Sequence, residues 1–366
     1  MRKILMAGAA ALALSATQAR EPKPPVRLAI IGLVHDHAGG FIPKLAGRPD
    51  IQLVGIVEPD HDLAARYAAR FHLDAGLFHD NLDNLLAHTK VEAVALFTSA
   101  YDHRQMVELC APHGLAIMME KPLAVNMEAA AAIAANSEKY HVPVIVNYQS
   151  TWNAGNQAVY DIVHQPDGLG PVRRMICCYG HRGPKEIGCS EDFFKWLTDP
   201  KLNGGGAVVD FGCYGADLMT WLMDGQPPIS ISAVTLHIKP EVYPKVDDDA
   251  TIVLTYPKAV GVIQASWNWP YSRADFDVYG QSGYVLARGQ EALRVRVGED
   301  KEMEKQAKPL EGPAADEISY LVAITRREIQ PSGPSSLAMN LVVTMILDAA
   351  RESARTGRRI ILGREH

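Results

Sequence analysis

The sequence predicts an α/β chain whose first half folds as a doubly wound parallel sheet. Three observations carry that expectation. Short apolar runs without polar alternation recur up to Val146, stretches of helical period separate them, and the chain is long enough for two cores. The 366 residues are 48% hydrophobic and 21% charged, which excludes a disordered chain or a disulfide-stapled mini-protein. Net charge is −6 without any block of Lys or Arg, so nucleic acid is excluded as an expected partner.

The strands are expected at Val26–Gly32, Ile51–Val57, Val91–Phe97, Leu115–Met119 and Val142–Val146. Between them, 62–71 carries Leu63, Tyr67 and Phe71 at helical spacing. The helix at 102–110 runs towards Gly114, a C-terminal cap, and that at 126–140 opens on a capping Asn126. In such a sheet ligands gather beyond the carboxyl ends of the strands.

Residues 1–19 read as a secretory signal: Arg2 and Lys3, an apolar run too short to span a bilayer, and small residues before a cut after Ala19. The mature chain is expected in the periplasm or outside the cell, with no membrane span. Five cysteines, Cys110, Cys177, Cys178, Cys189 and Cys213, suggest no disulfide framework.

The first strand runs into Gly32-Leu33-Val34-His35-Asp36-His37, where a dinucleotide fold places G-x-G-x-x-G. Only Gly32 keeps its glycine; Val34 and His37 take the other two places. Backbone N–H groups can still cradle a pyrophosphate, although Val34 hinders close approach. Glu58 closes the second strand, where a carboxylate accepts ribose hydroxyls and repels a 2′-phosphate, favouring NAD over NADP. His35 and His37 can share a metal only if a third ligand arrives from elsewhere. Nothing in the sequence visibly supplies one, so no metal is expected and the two are read as lining cofactor phosphates or substrate.

Two constellations carry chemistry. Glu120-Lys121-Pro122 sits at a strand end, where an ammonium can hold a substrate hydroxyl and Pro122 keeps Lys121 out of the α region. The run 204–222, GGGAVVDFGCYGADLMTWL, predicts one buried helix. Asp210, Tyr214, Asp217 and Trp221 form a polar stripe along it. A buried helix does not keep unpaired polar groups at about 1–3 kcal/mol each. Asp210 and Tyr214 are the proton-handling candidates, and Asp217 and Trp221 are read as structural.

Together these residues resemble the Gfo/Idh/MocA oxidoreductase family over residues 26–363. Further markers are Thr98-Ser99 with His103, YGQSGYVLA at 279–287 and the closing LDAARESARTGRRI. The resemblance implies a Rossmann domain at 26–147 and an α/β domain at 148–335 on an open, mostly antiparallel sheet. Residues 336–366 would pack back on the body, and the sheet would mediate a homo-oligomer. Strands of that sheet are expected at 174–179, 230–238, 251–256, 261–267 and 276–279. The resemblance also implies cofactor contacts from Gly32, Leu33, Val34, His35, His37, Glu58, Thr98, Ser99, His103, Glu120 and Lys121. Lys121 would orient a sugar or polyol hydroxyl, assisted by Asp210. Tyr214 stands where many relatives carry the acid/base His, and its phenol must be depressed to act as a base near neutrality.

Tyr148, Arg182, Trp267 and Trp269 are the candidates to face a carbohydrate. Alternation places both tryptophans on one face, and Gln149, Trp152, His181 and Lys185 are further candidates. Export away from a recycling pool of NAD(H) leaves three expectations. These are a sugar or polyol oxidoreductase, a redox-neutral NAD-dependent glycoside hydrolase or lyase with tightly held NAD, and a carbohydrate-binding relative without cofactor.

Overall fold

The computed structural model describes residues 23–362. The signal reading at 1–19 lies outside the described residues. Six parallel strands form the first sheet: β1 (Val26–Ile31), β2 (Ile51–Val57), β3 (Phe78–His79), β4 (Ala93–Leu96), β5 (Ala116–Glu120) and β6 (Val144–Asn147), in the order 3-2-1-4-5-6. Reversal of strand order between β2-β1 and β1-β4 opens a crevice at the carboxyl end of β1. β4 and β5 are buried along their whole length because helices cover both faces.

The helices of this half are α1 (His37–Phe41), α2 (His61–Phe71), α3 (Leu82–His88), α4 (His103–Cys110) and α5 (Met127–Tyr140). Asp60 accepts the Asp62 and Leu63 N–H groups ahead of α2, and Asn126 accepts that of Ala129 ahead of α5. Gly114 adopts φ +71° and ends the short 3-10 turn after α4.

The second sheet has nine strands: β7 (Val172–Gly180), β8 (Ser230–Leu236), β9 (Asp249–Thr255), β10 (Val260–Ser266), β11 (Arg273–Gly280), β12 (Gly283–Arg288), β13 (Ala292–Val297), β14 (Met303–Gln306) and β15 (Ile360–Ile361). Their order is 14-13-12-11-7-10-9-8-15, with β7–β10 the one parallel pair among them. The other α-helices among the described residues are α6 (Ala154–His164), α7 (Glu191–Leu197), α8 (Ala207–Asp210), α9 (Gly212–Leu222), α10 (Glu317–Thr325) and α11 (Leu337–Thr356). α6, α9 and α11 pack against this sheet. In β9 the inward set Ala250, Ile252 and Leu254 is buried and the alternate set is not, as a sheet covered on one face requires.

Two expectations are corrected here. The run 204–222 is not one helix: α8 stops at Asp210 and α9 starts at Gly212, with Phe211 between them. Lys121 Nζ takes the Asp210 carbonyl at 3.1 Å, and the Tyr214 N–H falls back to Phe211 O. The Asp247 carboxylate takes the N–H groups of Gly206 and Val208, fixing the start of α8. The last strand before the tryptophans ends at Ser266, so the expected alternation does not reach Trp267 and Trp269.

Candidate active site

β5 ends in Glu120, and the cis Lys121–Pro122 bond turns the chain there. Lys121 Nζ lies 2.5 Å from Asp210 Oδ1, and both side chains are 6% exposed. Asp210 Oδ2 accepts from Trp267 Nε1 at 2.9 Å. Two chain segments with no local reason to meet thus form a buried ion pair with every charged oxygen engaged, which is the condition under which such a pair is tolerated. Burial opposes both charges, yet Asp210 together with Tyr214 and Cys213 outweighs it and raises Lys121, while Lys121, with His181 and Trp267, lowers Asp210. The ammonium sits over the rings of Tyr214 at 5.2 Å and Phe211 at 5.8 Å.

Those two rings, with Tyr179, His181 and Gln149, line a cavity of about 410 Å³. Tyr179 stacks on Tyr214 at 4.9 Å and His181 meets Phe211 edge-on at the same separation. The Gly183 N–H donates to His181 Nδ1 at 2.9 Å, which leaves the proton of the neutral ring on Nε2. Burial lowers the His181 pKa, with Asp210 working against it. Tyr214 departs from expectation. Burial pushes its phenol well above the ordinary value and Lys121 only partly offsets this, so it holds its proton at neutral pH.

The crevice at the end of β1 fits the adenosine half of a dinucleotide. Gly32 has φ +78°, and a Cβ there would meet Thr98 Cγ2 at 2.6 Å. Gly32, Val34, Glu58, Pro59 and Thr98 help line a cavity of about 300 Å³. Glu58 accepts the Leu33 N–H at 2.8 Å and the Asp60 N–H at 2.9 Å, which aims it into the crevice while burial raises its pKa. The lost glycines have a visible counterpart. The Val34 carbonyl accepts from Trp196 Nε1, and Asp36 accepts from the Ser190 N–H and Oγ, so α7 of the second half seats on the loop.

Several expected residues lie elsewhere. Trp267 is fully buried and its indole serves Asp210, so it offers no stacking face. Trp269 instead packs under the Arg273 guanidinium at 4.3 Å. Tyr148 is also fully buried, edge-on to Tyr214 at 5.6 Å. Arg182 is exposed, and its carbonyl accepts from Lys239. His103 faces inward, its Nδ1 at 3.1 Å from Pro122 O, so it holds the turn that carries Lys121. Ser99 Oγ donates to Asp102 beside the crevice. Trp221 stacks on Tyr160 at 4.4 Å, and Asp217 is wholly buried. Asn147, Asp247 and the α7 segment went unnamed in the sequence reading. The Asp247-Asp248-Asp249 run was the one available signal.

His37 Nδ1 lies 2.9 Å from Glu120 Oε2, and Asn147 Nδ2 donates to Glu120 Oε1 at 2.8 Å. These groups border a cavity of about 460 Å³ that adjoins the Tyr214 cavity through Gln149 and Gln290.

A sequence profile of an oxidoreductase family with an NAD-binding Rossmann fold matches residues 26–148, and one of the GFO/IDH/MocA C-terminal domain matches 156–286. The chain belongs to the GFO/IDH/MocA oxidoreductase family. Among its curated relatives is the D-xylose 1-dehydrogenase [NADP(+)] of Haloarcula marismortui, 21% identical over 71% of each chain. The trans-1,2-dihydrobenzene-1,2-diol dehydrogenase of Xenopus tropicalis is 23% identical over 59% of this chain and 61% of that one. The aldose-aldose oxidoreductase from Caulobacter crescentus, solved with glycerol, superimposes with a TM-score of 0.78 at 22% identity, covering 92% of this chain and 100% of that one. An inositol dehydrogenase homologue from Azotobacter vinelandii, complexed with NAD⁺, gives 0.79 at 16% identity, over 93% and 98%. At these identities the likeness establishes the shared fold. Among the described residues no helix is long and apolar enough to cross a membrane.

Proposed function

We propose that this GFO/IDH/MocA member transfers hydride between a sugar, sugar derivative or cyclic polyol and NAD, and that it works outside the cytoplasm. The observation that carries the reading is the Lys121–Asp210 pair beneath the Tyr214 cavity, beside a crevice shaped for a dinucleotide. NAD supplies the hydride acceptor or donor at its nicotinamide when bound. Glu58 at the ribose position supports NAD rather than NADP, because a 2′-phosphate would meet its carboxylate. Lys121, kept charged by Asp210, donates to the reacting oxygen and stabilises negative charge there. Tyr214, protonated at neutral pH, donates to a carbonyl oxygen in the reductive direction, and His181 Nε2–H offers a second donor. The names of the xylose and inositol enzymes above support the substrate class.

Purified protein should release NAD(H) on denaturation and form NADH steadily from NAD⁺ and a free sugar or polyol. Absence of both overturns the reading and leaves carbohydrate binding without cofactor. One observation favours the redox-neutral alternative, a glycoside hydrolase or lyase: α7 is bonded to the dinucleotide loop, which slows cofactor exchange. Cleavage of a nitrophenyl glycoside without net NADH would select it. Export rests on the 1–19 segment, and N-terminal sequencing of protein secreted by a bacterial host should begin at Arg20. A homo-oligomer through the second sheet is supported by its half-buried outer face, Ile176, Thr251, Val253 and Val262, and light scattering tests it.

A further inference from the structure

We propose that His35, His37 and Glu120 together bind one divalent transition-metal ion of the Zn²⁺ class. A ligand atom from each of the three lies within 4.8 Å of the other two. Donor atoms around one Zn²⁺ stand about 3.4 Å apart at the usual bond lengths of roughly 2.1 Å, so small side-chain rotations close the set. The third ligand comes from a distant strand. Glu120 ends β5, and the sheet order brings it against the loop after β1.

Further features mark a built site. His35 is 1% exposed, and its Nε2 is buried without a hydrogen-bond partner. Its Nδ1 accepts one long bond, 3.2 Å from the His37 backbone nitrogen, which puts the neutral ring's proton on Nε2, so the ring meets an ion through Nδ1 and gives up only that bond. His37 Nδ1 and Glu120 Oε2 already stand 2.9 Å apart, near the separation of two ligand atoms on one ion. Outer partners hold the carboxylate: Asn147 Nδ2 donates to Glu120 Oε1, and Trp152 Nε1 donates to Asn147 Oδ1 at 2.9 Å. Phe193 and Trp196 pack against the His35 ring at 4.8 and 5.4 Å, giving the site a dry wall.

Two imidazoles and one carboxylate are the ligand set of open zinc sites, which keep a coordination position for an outside oxygen. His37 and Glu120 also line a cavity that adjoins the one at Tyr214, from which an outside oxygen can reach that position. The ligand class it takes is an oxygen donor such as a polyol hydroxyl.

The test uses untagged full-length protein, stripped with a chelator and dialysed against Zn²⁺ or Co²⁺ without NAD. Expected are one ion per chain by elemental analysis and visible Co²⁺ absorption of low-symmetry type. His37→Ala and Glu120→Gln should each weaken binding at least ~100-fold, and Asn147→Ala about 10–100-fold through the outer contact. His37 is 31% exposed at its side chain, so its replacement keeps the fold, verified by circular dichroism. Wild-type protein that takes up no ion, or no more than folded His37→Ala, overturns the proposal. NAD release on denaturation is measured on the same preparation and reports separately on the hydride-transfer reading.

Discussion

Lys121 is the residue on which both chemistry and local stability turn. Lys121→Ala should lower turnover at least ~100-fold, measured at saturating substrate, through loss of the positioned donor. It also strands the buried Asp210 carboxylate, so chemical unfolding should show a loss of about 3–5 kcal/mol. Trp267 separates two roles. Trp267→Phe removes the indole bond to Asp210 and should cost about 1–3 kcal/mol in urea unfolding. KM for the sugar should stay unchanged, because a side chain with no exposure cannot stack on substrate; a large rise in KM would restore the stacking role. Lys121 was legible from its place at a strand end, and Asp210 and Tyr214 because they stood in an apolar run where an unpaired polar group is unfavourable. The aromatic candidates were not, since an indole in an apolar stretch reads the same whether it faces a cavity or a carboxylate.

At the scale of elements, hydrophobic pattern located β1, β2, β4, β5 and β6 to within a few residues. β3 has two residues, β14 is exposed throughout and β15 has two residues, so their hydrophobic pattern carries too little signal. The break between α8 and α9 was invisible because it is made from outside, by Lys121 taking the Asp210 carbonyl out of the helical ladder, while Asp247 fixes the start of α8. Gly206 belongs to that device: a Cβ there would lie 1.7 Å from Asp247 O. Gly206→Ala should therefore destabilise by about 1–3 kcal/mol or more and displace α8, read as a lowered thermal midpoint with reduced activity.

Across the whole molecule the buried histidines set a pH dependence. Burial lowers the pKa of His103 against its bonds to Leu123 and Pro122, and burial also lowers that of His181. Both are neutral in the native state, whereas the unfolded chain protonates near pH ~6.5. Below that pH the unfolded state binds more protons, so stability should fall as pH drops from 6.5 towards the lowered native values. Thermal midpoints between about pH 7.5 and 5 check this, and His103→Gln should flatten the slope. The Lys121–Asp210 pair adds no slope in that window, because Lys121 is raised and Asp210 lowered, and both stay charged across it.

The amino-acid order alone determined the parallel sheet, its helices, the strand-end position of Glu120-Lys121 and the acid–phenol pair on the glycine-led segment. These follow from local periodicity and from the turn and capping preferences of single residues. Tertiary structure decided which of them meet. Lys121 and Asp210 are 89 positions apart, Asp210 and Trp267 57, and His37 and Glu120 83. Strand order and the packing of the second sheet's helices on the first bring these pairs into contact, and no local pattern encodes a distance across a sheet. Glu120 stood in plain view in the sequence, but only the sheet order, which sets β5 beyond β4 from β1, places it beside His35 and His37.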